Sequence, residues 1–166
     1  MDIIIVPAQE PKHFDIVRKL FREYQASLGI DLCFQSFEEE LATLPGKYAP
    51  PHGALFLAFA DTQPVGVIAM RPLGKEVCEM KRLYVRPSAR GHQLGQRLIH
   101  RLFSEARTAG YSRMRLDTLT GLMDRAIELY RSLGFYEVPP YFESPLPNEL
   151  FLEVDLTQVS TQTASG

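Results

Sequence analysis

The spacing of apolar residues along the chain predicts strands and amphipathic helices in an interleaved order. Short runs rich in β-branched and aromatic residues, most of them bounded by Pro, Gly or Asp turns, predict strands over residues 2–6, 54–60, 65–71, 76–85, 113–119, 135–138 and 150–156. Apolar residues that recur at steps of three and four predict helices over residues 11–28, 36–44, 91–109 and 122–133. This order predicts an α/β fold of the mixed α+β type, with helices on both faces of a mixed sheet.

Punctuating residues refine this outline. Ser36 and Glu39 have the three-residue spacing of a capping box at the start of the second helix. The turn at Pro64 predicts a hairpin between the second and third strands, and residues 76–119 have the length of a strand–helix–strand crossover. No shift in composition divides the chain, so we expect one domain over residues 1–156 and a flexible tail over residues 157–166.

Composition excludes several classes of function. Hydrophobic residues make up 45% and charged residues 23% of the 166 residues, which is typical of a globular domain. The net charge of −2 offers no field that would attract nucleic acid or an anionic membrane, and no apolar run approaches the roughly 18 residues of a membrane span. Cys33 and Cys78 lack the spacing of a metal site and are typical of reduced thiols in a cytoplasmic protein, although one disulfide between them stays open.

The junction between the strand at 76–85 and the helix at 91–109 is the strongest candidate for chemistry. It reads Arg90-Gly91-His92-Gln93-Leu94-Gly95. The first amides of a helix lack intrahelical acceptors and lie at the positive end of the helix dipole. Glycine lets an anion approach the backbone, and Arg90 adds a cation. On these grounds the junction is either an anion site or a turn that Gly91 merely shapes, and it is neither a Walker sequence nor a dinucleotide fingerprint.

Residues 79–98, which contain this junction, resemble motif A of the GNAT superfamily of N-acetyltransferases. That motif reads Arg/Gln-x-x-Gly-x-Gly/Ala and follows a strand that ends in Leu-Tyr-Val, which here is Leu83-Tyr84-Val85. Arg90 and Gly95 match its first and last positions. Gln93 stands at the position of the first glycine, which is a departure from the pattern.

A second segment supports the same resemblance. Residues 124–135 are similar to the family's motif B helix, which ends in Leu-Tyr-x-x-Leu-Gly-Phe, and Met123 stands where many members carry Asn. The resemblance spans roughly residues 54–156 and implies a mostly antiparallel central sheet. Two motifs at the right separation are far more specific than either motif alone.

The resemblance implies that acetyl-CoA is the acyl donor and that no metal is needed. In similar enzymes the strand before the loop splays from its neighbour and offers backbone groups to the pantetheine arm, while amides of the loop hold the pyrophosphate. The implied coenzyme contacts are Leu83, Tyr84, Val85, Arg90, Gly91, His92, Gln93, Leu94, Gly95, Gln96, Met123 and Ala126. At His92 the backbone is expected to matter more than the imidazole ring.

Two residues are candidates for proton transfer. Tyr130 matches the family tyrosine that lies near the coenzyme sulfur, where a phenol with a pKa of about 10 can donate a proton to the departing thiolate. The alternative is that Tyr130 is a packed aromatic residue. Glu79 has the spacing of a general base found in some members, and its alternative role is an ion pair with Lys81 on the same strand face. Cys78 could suggest an acyl-cysteine intermediate, but a buried thiol is the commoner state.

The acceptor amine is left open by the sequence. In similar enzymes it binds between two loops, here residues 28–37 and 139–148, which contain Asp31 and Tyr141. Asp31 favours a polyamine-like cation, whereas Arg71 and Lys47 favour an amine that bears a carboxylate. We expect a small-molecule amine rather than a protein amine, and homodimers are common among similar proteins. The competing hypothesis, motivated by Gln93 and Met123, is a non-catalytic module that binds acyl-CoA as a sensor or partner-binding protein.

Overall fold

The structure of the chain is a computed structural model that describes residues 2–29 and 36–159. The expectations about Asp31, Cys33 and the end of the tail lie outside these residues. Within the described residues, no helix is both long enough and apolar enough to cross a membrane.

Seven strands of the described residues form one sheet in the order β1-β2-β3-β4-β5-β7-β6. These strands are β1 (Ile3–Pro7), β2 (Ala54–Ala60), β3 (Gln63–Pro72), β4 (Val77–Val85), β5 (Arg113–Leu119), β6 (Tyr136–Glu137) and β7 (Glu149–Asp155). The pair β4–β5 is parallel, and the other neighbouring pairs are antiparallel. The predicted mixed, mostly antiparallel sheet is therefore confirmed.

Helices cover both faces of the sheet, as predicted. They are α1 (Pro11–Leu28), α2 (Phe37–Ala42), α3 (Leu94–Thr108) and α4 (Asp124–Ser132), and short 3₁₀ turns occupy Gly46–Tyr48 and Pro87–Ala89. On one face, α1 and α2 bury Val17, Phe21 and Leu41 against β2 and β3. On the other face, α3 buries Leu98 and Leu102 against the centre of the sheet, and α4 packs beside it. The apolar stripe on each helix explains this placement, because each stripe is removed from water only against the sheet.

Three helices begin later than predicted, namely α2 at Phe37, α3 at Leu94 and α4 at Asp124, and left-handed backbone explains the start of α3. Helix α3 begins at Leu94 rather than at Gly91, because Gly91 (φ 90°) and Gln93 (φ 56°) are left-handed and cannot continue a right-handed helix. The predicted capping box of α2 is wrong. Ser36 has a φ of 56°, and its side chain makes no capping hydrogen bond. A capping box requires an extended backbone at the N-cap residue, and the spacing of Ser36 and Glu39 does not reveal that Ser36 lacks it.

The parallel strands β4 and β5 separate along their length. They pair at Val77–Arg113, Cys78–Met114 and Glu79–Arg115, and no further pairs form although both strands continue. The splay that the family resemblance implied is therefore confirmed. It opens a gap in the middle of the sheet beside the end of β4.

Candidate functional site

A bulge in β4 shapes the open end of the gap. Val67 of β3 pairs with Tyr84 and Ala69 pairs with Lys81, so two residues of β4 lie opposite Ile68. One of these two residues, Arg82, has a φ of 61°, which is uncommon for a residue other than glycine. A bulge bends its strand and increases the local twist, so it turns the end of β4 away from β5.

The gap opens into a cleft of about 780 Å³ between the end of β4 and the starts of α3 and α4. Most of the residues predicted to contact the coenzyme line it, namely Leu83, Tyr84, Val85, Arg90, Gly91, Gln93, Leu94, Gly95, Gln96, Met123 and Ala126. His92 is not among the lining residues. The cleft is also lined by residues that were not predicted as coenzyme contacts, including Tyr24, Ser27 and Leu28 of α1 and Leu122, Asp124 and Arg125 near the start of α4.

The floor of this cleft is the start of α3. The amides of its first turn, at Leu94, Gly95 and Gln96, precede the first residue that can find an acceptor within the helix, and the amide of Arg97 donates to the carbonyl of Gln93 at 3.0 Å. Gly95 leaves the surface open, since a Cβ there would meet the protein first at Leu129 Cδ2, 3.6 Å away. The Arg90 side chain is anchored by a hydrogen bond from Nε to the Val85 carbonyl at 3.3 Å. This arrangement can receive an anion.

A narrower pocket of about 50 Å³ adjoins the cleft. It shares Tyr24, Leu28, Leu83 and Met123 with the cleft and continues between β4, β5 and β7. Tyr130 of α4 lines this pocket with 4% of its surface exposed, and its ring packs against Phe135 at a centroid distance of 5.7 Å. Burial raises the pKa of the Tyr130 phenol well above its ordinary value, so the hydroxyl keeps its proton throughout the neutral range.

Glu79 lies deeper than its proposed role suggests. Its side chain is 1% exposed, and it is not among the residues that line the cleft or the narrow pocket. Oε1 accepts a hydrogen bond from Arg71 Nε at 2.8 Å, and Oε2 accepts one from the Tyr141 hydroxyl at 2.7 Å. Lys81 Nζ is more distant, at 4.0 Å from Oε1. The expected pairing with Lys81 is therefore secondary to one with Arg71, which lies directly opposite Glu79 on β3.

Tyr141 brings the loop of residues 139–148 down onto the sheet. Besides its hydrogen bond to Glu79, its ring packs edge-on against Phe142 and Phe151 at centroid distances of 5.5 and 5.1 Å. Burial, followed by the Glu79 charge, raises the pKa of the Tyr141 phenol. Leu146 of the same loop lines the narrow pocket. The predicted acceptor loop is thus part of the pocket wall.

The cations that the sequence offered for a substrate carboxylate are engaged elsewhere. Arg71 is bound to Glu79, and Lys47 Nζ lies 3.3 Å from Glu40 Oε1. Neither residue lines the cleft or the narrow pocket.

The narrow pocket also contains a pair of carboxyl groups that were not predicted from the sequence. Asp117 of β5 and Glu149 of β7 line the pocket together with Lys81 and Tyr130. Burial and then the charge of Asp117 raise the pKa of Glu149 to about 7. The alternation of charged and apolar residues along β5 could have shown that Asp117 faces away from the core, but only the pairing of β5 with β7 brings Glu149 to it.

Cys78 is a buried thiol, the commoner state weighed from the sequence. Its side chain is fully buried on the α3 face of the sheet, and Sγ lies 3.6 Å from the Arg113 carbonyl oxygen. Burial raises the pKa of the thiol to about 12, so the nucleophilic thiolate is scarce at neutral pH. The site therefore favours direct transfer over an acyl-cysteine intermediate.

Comparison with known proteins agrees with this geometry. The model of the acetyltransferase (GNAT) family matches residues 15–135 of the chain. An uncharacterised N-acetyltransferase of Schizosaccharomyces pombe is 38% identical over 159 residues, which cover 95% of this chain and 97% of that protein. An IAA acetyltransferase of Azospirillum brasilense is 44% identical over 79 residues, which cover 47% of this chain and 51% of that protein.

Solved structures share the fold. A GNAT-family acetyltransferase from Staphylococcus aureus has a TM-score of 0.78 at 18% identity, covering 93% of this chain and 99% of that chain. The PaiA N-acetyltransferase of Thermoplasma acidophilum, solved in complex with coenzyme A, has a TM-score of 0.72 at 17% identity with the same coverage. At this identity, the likeness concerns the fold.

Proposed function

Because the chain belongs to the GNAT family of acetyltransferases, we propose that it transfers an acetyl group directly to the primary amine of a small molecule. The chain is an N-acetyltransferase, and acetyl-CoA is its acyl donor. The observation that carries the choice of acceptor is the narrow pocket of about 50 Å³ that adjoins the long cleft. Such a pocket suits an aliphatic amine. The name of the Azospirillum relative, an IAA acetyltransferase, is compatible with a small acceptor.

The long cleft is the proposed coenzyme site. Its volume of about 780 Å³ lies within the range of cofactor sites. Backbone groups from Leu83 to Val85, at the end of β4 that does not pair with β5, would hydrogen-bond the pantetheine arm. The amides from Gly91 to Gln96 would hold the pyrophosphate at the positive end of α3, with His92 contributing its backbone and Arg90 its charge. Met123 and Ala126 would form the opposite wall.

Tyr130 is the proposed general acid. The neutral amine attacks the thioester carbon, the carbon–sulfur bond breaks, and the sulfur leaves as a thiolate that accepts the phenolic proton, which solvent then restores to Tyr130. Two observations support this role. Tyr130 lines the pocket that adjoins the coenzyme cleft, and burial keeps its phenol protonated.

Glu79 is the proposed base, and it acts indirectly. The amine arrives as an ammonium ion and must lose one proton before or during attack. Neither Glu79 nor Tyr141, which donates to Oε2 at 2.7 Å, lines the pocket, so that proton would reach the carboxylate through water. The Arg71 guanidinium holds the carboxylate in place during this transfer. Since a carboxylate offers about four lone-pair sites, the two existing hydrogen bonds leave room for a water.

The proposal is tested by incubating the chain with acetyl-CoA and a panel of acceptors while the released thiol is measured. The panel should contain aliphatic amines, amino acids and short peptides with free amino termini. We expect turnover with at least one small amine and little with the peptides. Preferential acetylation of the peptides would overturn the choice of acceptor, and calorimetric binding of acetyl-CoA without turnover on any member of the panel would contradict the proposed reaction.

A further inference from the structure

Asp117 and Glu149 lie side by side in the narrow pocket. The register of β5 and β7 places Glu149 opposite Leu119, two residues from Asp117 on the same face of the sheet. The side chains of Asp117 and Glu149 both line the same pocket. Oε1 of Glu149 is buried and has no hydrogen-bond partner among the described residues. The pocket therefore contains a buried acceptor that calls for a donor, because an unsatisfied buried polar atom costs free energy.

The charges of Asp117 and Glu149 also favour a cation in the pocket. Two neighbouring carboxyl groups cannot both ionise at low cost unless a proton or a cation lies between them. Lys81 lines the same pocket, but its ammonium group also faces Glu79 at 4.0 Å and is therefore shared between carboxyl groups. The second cation of the pocket wall, Arg82, is bound through two hydrogen bonds to Glu40 of α2. A ligand ammonium group would balance the charge that these residues leave.

We propose that Asp117 and Glu149 bind the ammonium group of the acceptor and thereby select an aliphatic amine that carries no carboxylate. This inference rests on the proposed function and names the substrate class for the same site. An ammonium group has three N–H donors and satisfies two carboxyl groups at once. A carboxylate at the other end of the same acceptor would lie near Asp117 and Glu149 in a region of low dielectric, where like charges repel strongly.

The choice between the two substrate classes left open by the sequence follows from this arrangement. The cations expected to bind a carboxylate, Arg71 and Lys47, are paired away from the pocket. Two acids line the pocket, and the two cations that also line it, Lys81 and Arg82, face Glu79 and Glu40. Asp117 and Glu149 act as specificity residues, and Tyr130 and Glu79 keep the proton-transfer roles proposed above. The favoured acceptors are unbranched alkyl monoamines and diamines.

The test uses three acceptors with the same four-carbon chain: n-butylamine, 1,4-diaminobutane and 4-aminobutanoate. In the wild-type chain we expect kcat/KM for the first two to exceed that for 4-aminobutanoate by roughly 100-fold. Glu149→Gln and Asp117→Asn, tested separately, should each raise the KM for the cationic amines by roughly 10- to 100-fold, the effect of losing a hydrogen bond to a charged group. The KM for acetyl-CoA should stay within twofold, which a general loss of structure would not allow.

Glu137→Gln is the matched control, because Glu137 is an exposed acid on β6 of the same sheet and does not line the pocket. Equal use of 4-aminobutanoate and butylamine by the wild type, or unchanged amine KM in both pocket variants, would overturn the inference while leaving acetyl transfer intact. If no amine is acetylated, the proposed function fails. The inference is then judged by calorimetric titration of 1,4-diaminobutane into the CoA-loaded chain, where wild-type binding must be lost in Glu149→Gln.

Discussion

The guanidinium of Arg82 donates to both carboxylate oxygens of Glu40, from Nε to Oε2 at 3.0 Å and from Nη2 to Oε1 at 3.1 Å. Both residues are more than nine-tenths buried. The ion pair joins the left-handed bulge residue of β4 to helix α2, and the Arg82 guanidinium also lies over the Phe37 ring at 5.2 Å. A residue on a helix that does not line the proposed coenzyme cleft therefore holds the point at which β4 turns away from β5.

Glu40→Gln should strongly destabilise the chain, because it leaves the Arg82 charge buried without its partner. We expect a loss of about 3 to 5 kcal/mol in the free energy of unfolding, the range for breaking a buried ion pair from one side. Chemical denaturation measures this change. Glu38→Gln is the control on the same helix, since Glu38 forms an exposed pair with Arg22 at 3.2 Å and its loss should cost no more than about 1 kcal/mol. Equal effects of the two substitutions would contradict the importance of the buried pair.

Tyr130→Phe should lower kcat by roughly 100-fold if the phenol is the general acid, and it should leave the dissociation constant of acetyl-CoA nearly unchanged. Steady-state kinetics and calorimetry separate the two effects. Because burial raises the pKa of Tyr130, ionisation of this phenol should cause no decline in activity below about pH 10. Tyr136→Phe is the matched control, since Tyr136 is an exposed tyrosine on β6 outside the cleft. Unchanged turnover in Tyr130→Phe would leave this residue as a packed aromatic.

Gly95→Ala should separate binding from stability. The new methyl group would lie 3.6 Å from Leu129 Cδ2, an ordinary contact, so the helix should gain up to about 1 kcal/mol in stability. The same methyl group would project into the cleft where the pyrophosphate is proposed to lie, and we expect the dissociation constant of coenzyme A to rise roughly tenfold. Thermal unfolding and calorimetry measure the two quantities. Gly74→Ala, at a loop glycine far from the cleft, should leave coenzyme binding unchanged, and unimpaired binding in Gly95→Ala would argue against the proposed phosphate position.

Gln93→Gly should stabilise the chain, because Gln93 has a φ of 56° and a ψ of 25° and only glycine adopts this left-handed conformation without cost. The expected gain is about 1 kcal/mol. Gln93→Val should have the opposite effect, since a β-branched residue is especially disfavoured at positive φ. Coenzyme binding should be at least as tight in Gln93→Gly as in the wild type, because backbone amides and Arg90 make the proposed contacts. A lower melting temperature for Gln93→Gly than for Gln93→Val would disprove the assigned backbone strain.

The raised pKa of Glu149 predicts a pH-dependent difference between the wild type and Glu149→Gln. A carboxyl group whose pKa rises from 4.5 to about 7 on folding favours the neutral form, so its stabilising contribution is complete below pH 4.5 and is lost as the pH rises through 7. Asp117, Lys81 and Tyr130 line the same pocket from β5, β4 and α4 and set this environment. The melting temperature of the wild type, relative to Glu149→Gln, should fall between pH 5 and pH 8. A constant difference across that range would show that Glu149 does not titrate there.

Local sequence patterns predicted most of the helices and strands. The helix at 11–28 and the strands at 54–60 and 113–119 have the predicted bounds, because apolar periodicity and Pro or Gly punctuation act within a few residues. Helix α3 begins later than predicted because a left-handed residue at Gln93 cannot be recognised from residue type alone. The two 3₁₀ turns were not predicted either, since such short elements depend on their surroundings.

The candidate site was predictable only where it is continuous in sequence. The loop from Arg90 to Gln96 and the helix carrying Tyr130 are local, and both could be proposed from short motifs. The partners of Glu79 were not, because Arg71 reaches it across a strand pair and Tyr141 reaches it from 62 residues away. Asp117 and Glu149 also meet only through the pairing of β5 with β7. The order of strands in the sheet determines these contacts, and that order cannot be predicted from any short segment of the sequence.

The three residue pairs that join β4 to β5 divide the sheet into two parts that are connected at one end and separated at the other. One part contains β1 to β4 and the other contains β5 to β7, and the backbone pairing between the two parts lies at the end occupied by Val77, Cys78 and Glu79. Among the described residues, β4 and β5 form no pairs beyond Glu79 and Arg115. A ligand bound between the separated ends of β4 and β5 would connect the two parts, so its binding should slow amide hydrogen exchange in both strands together.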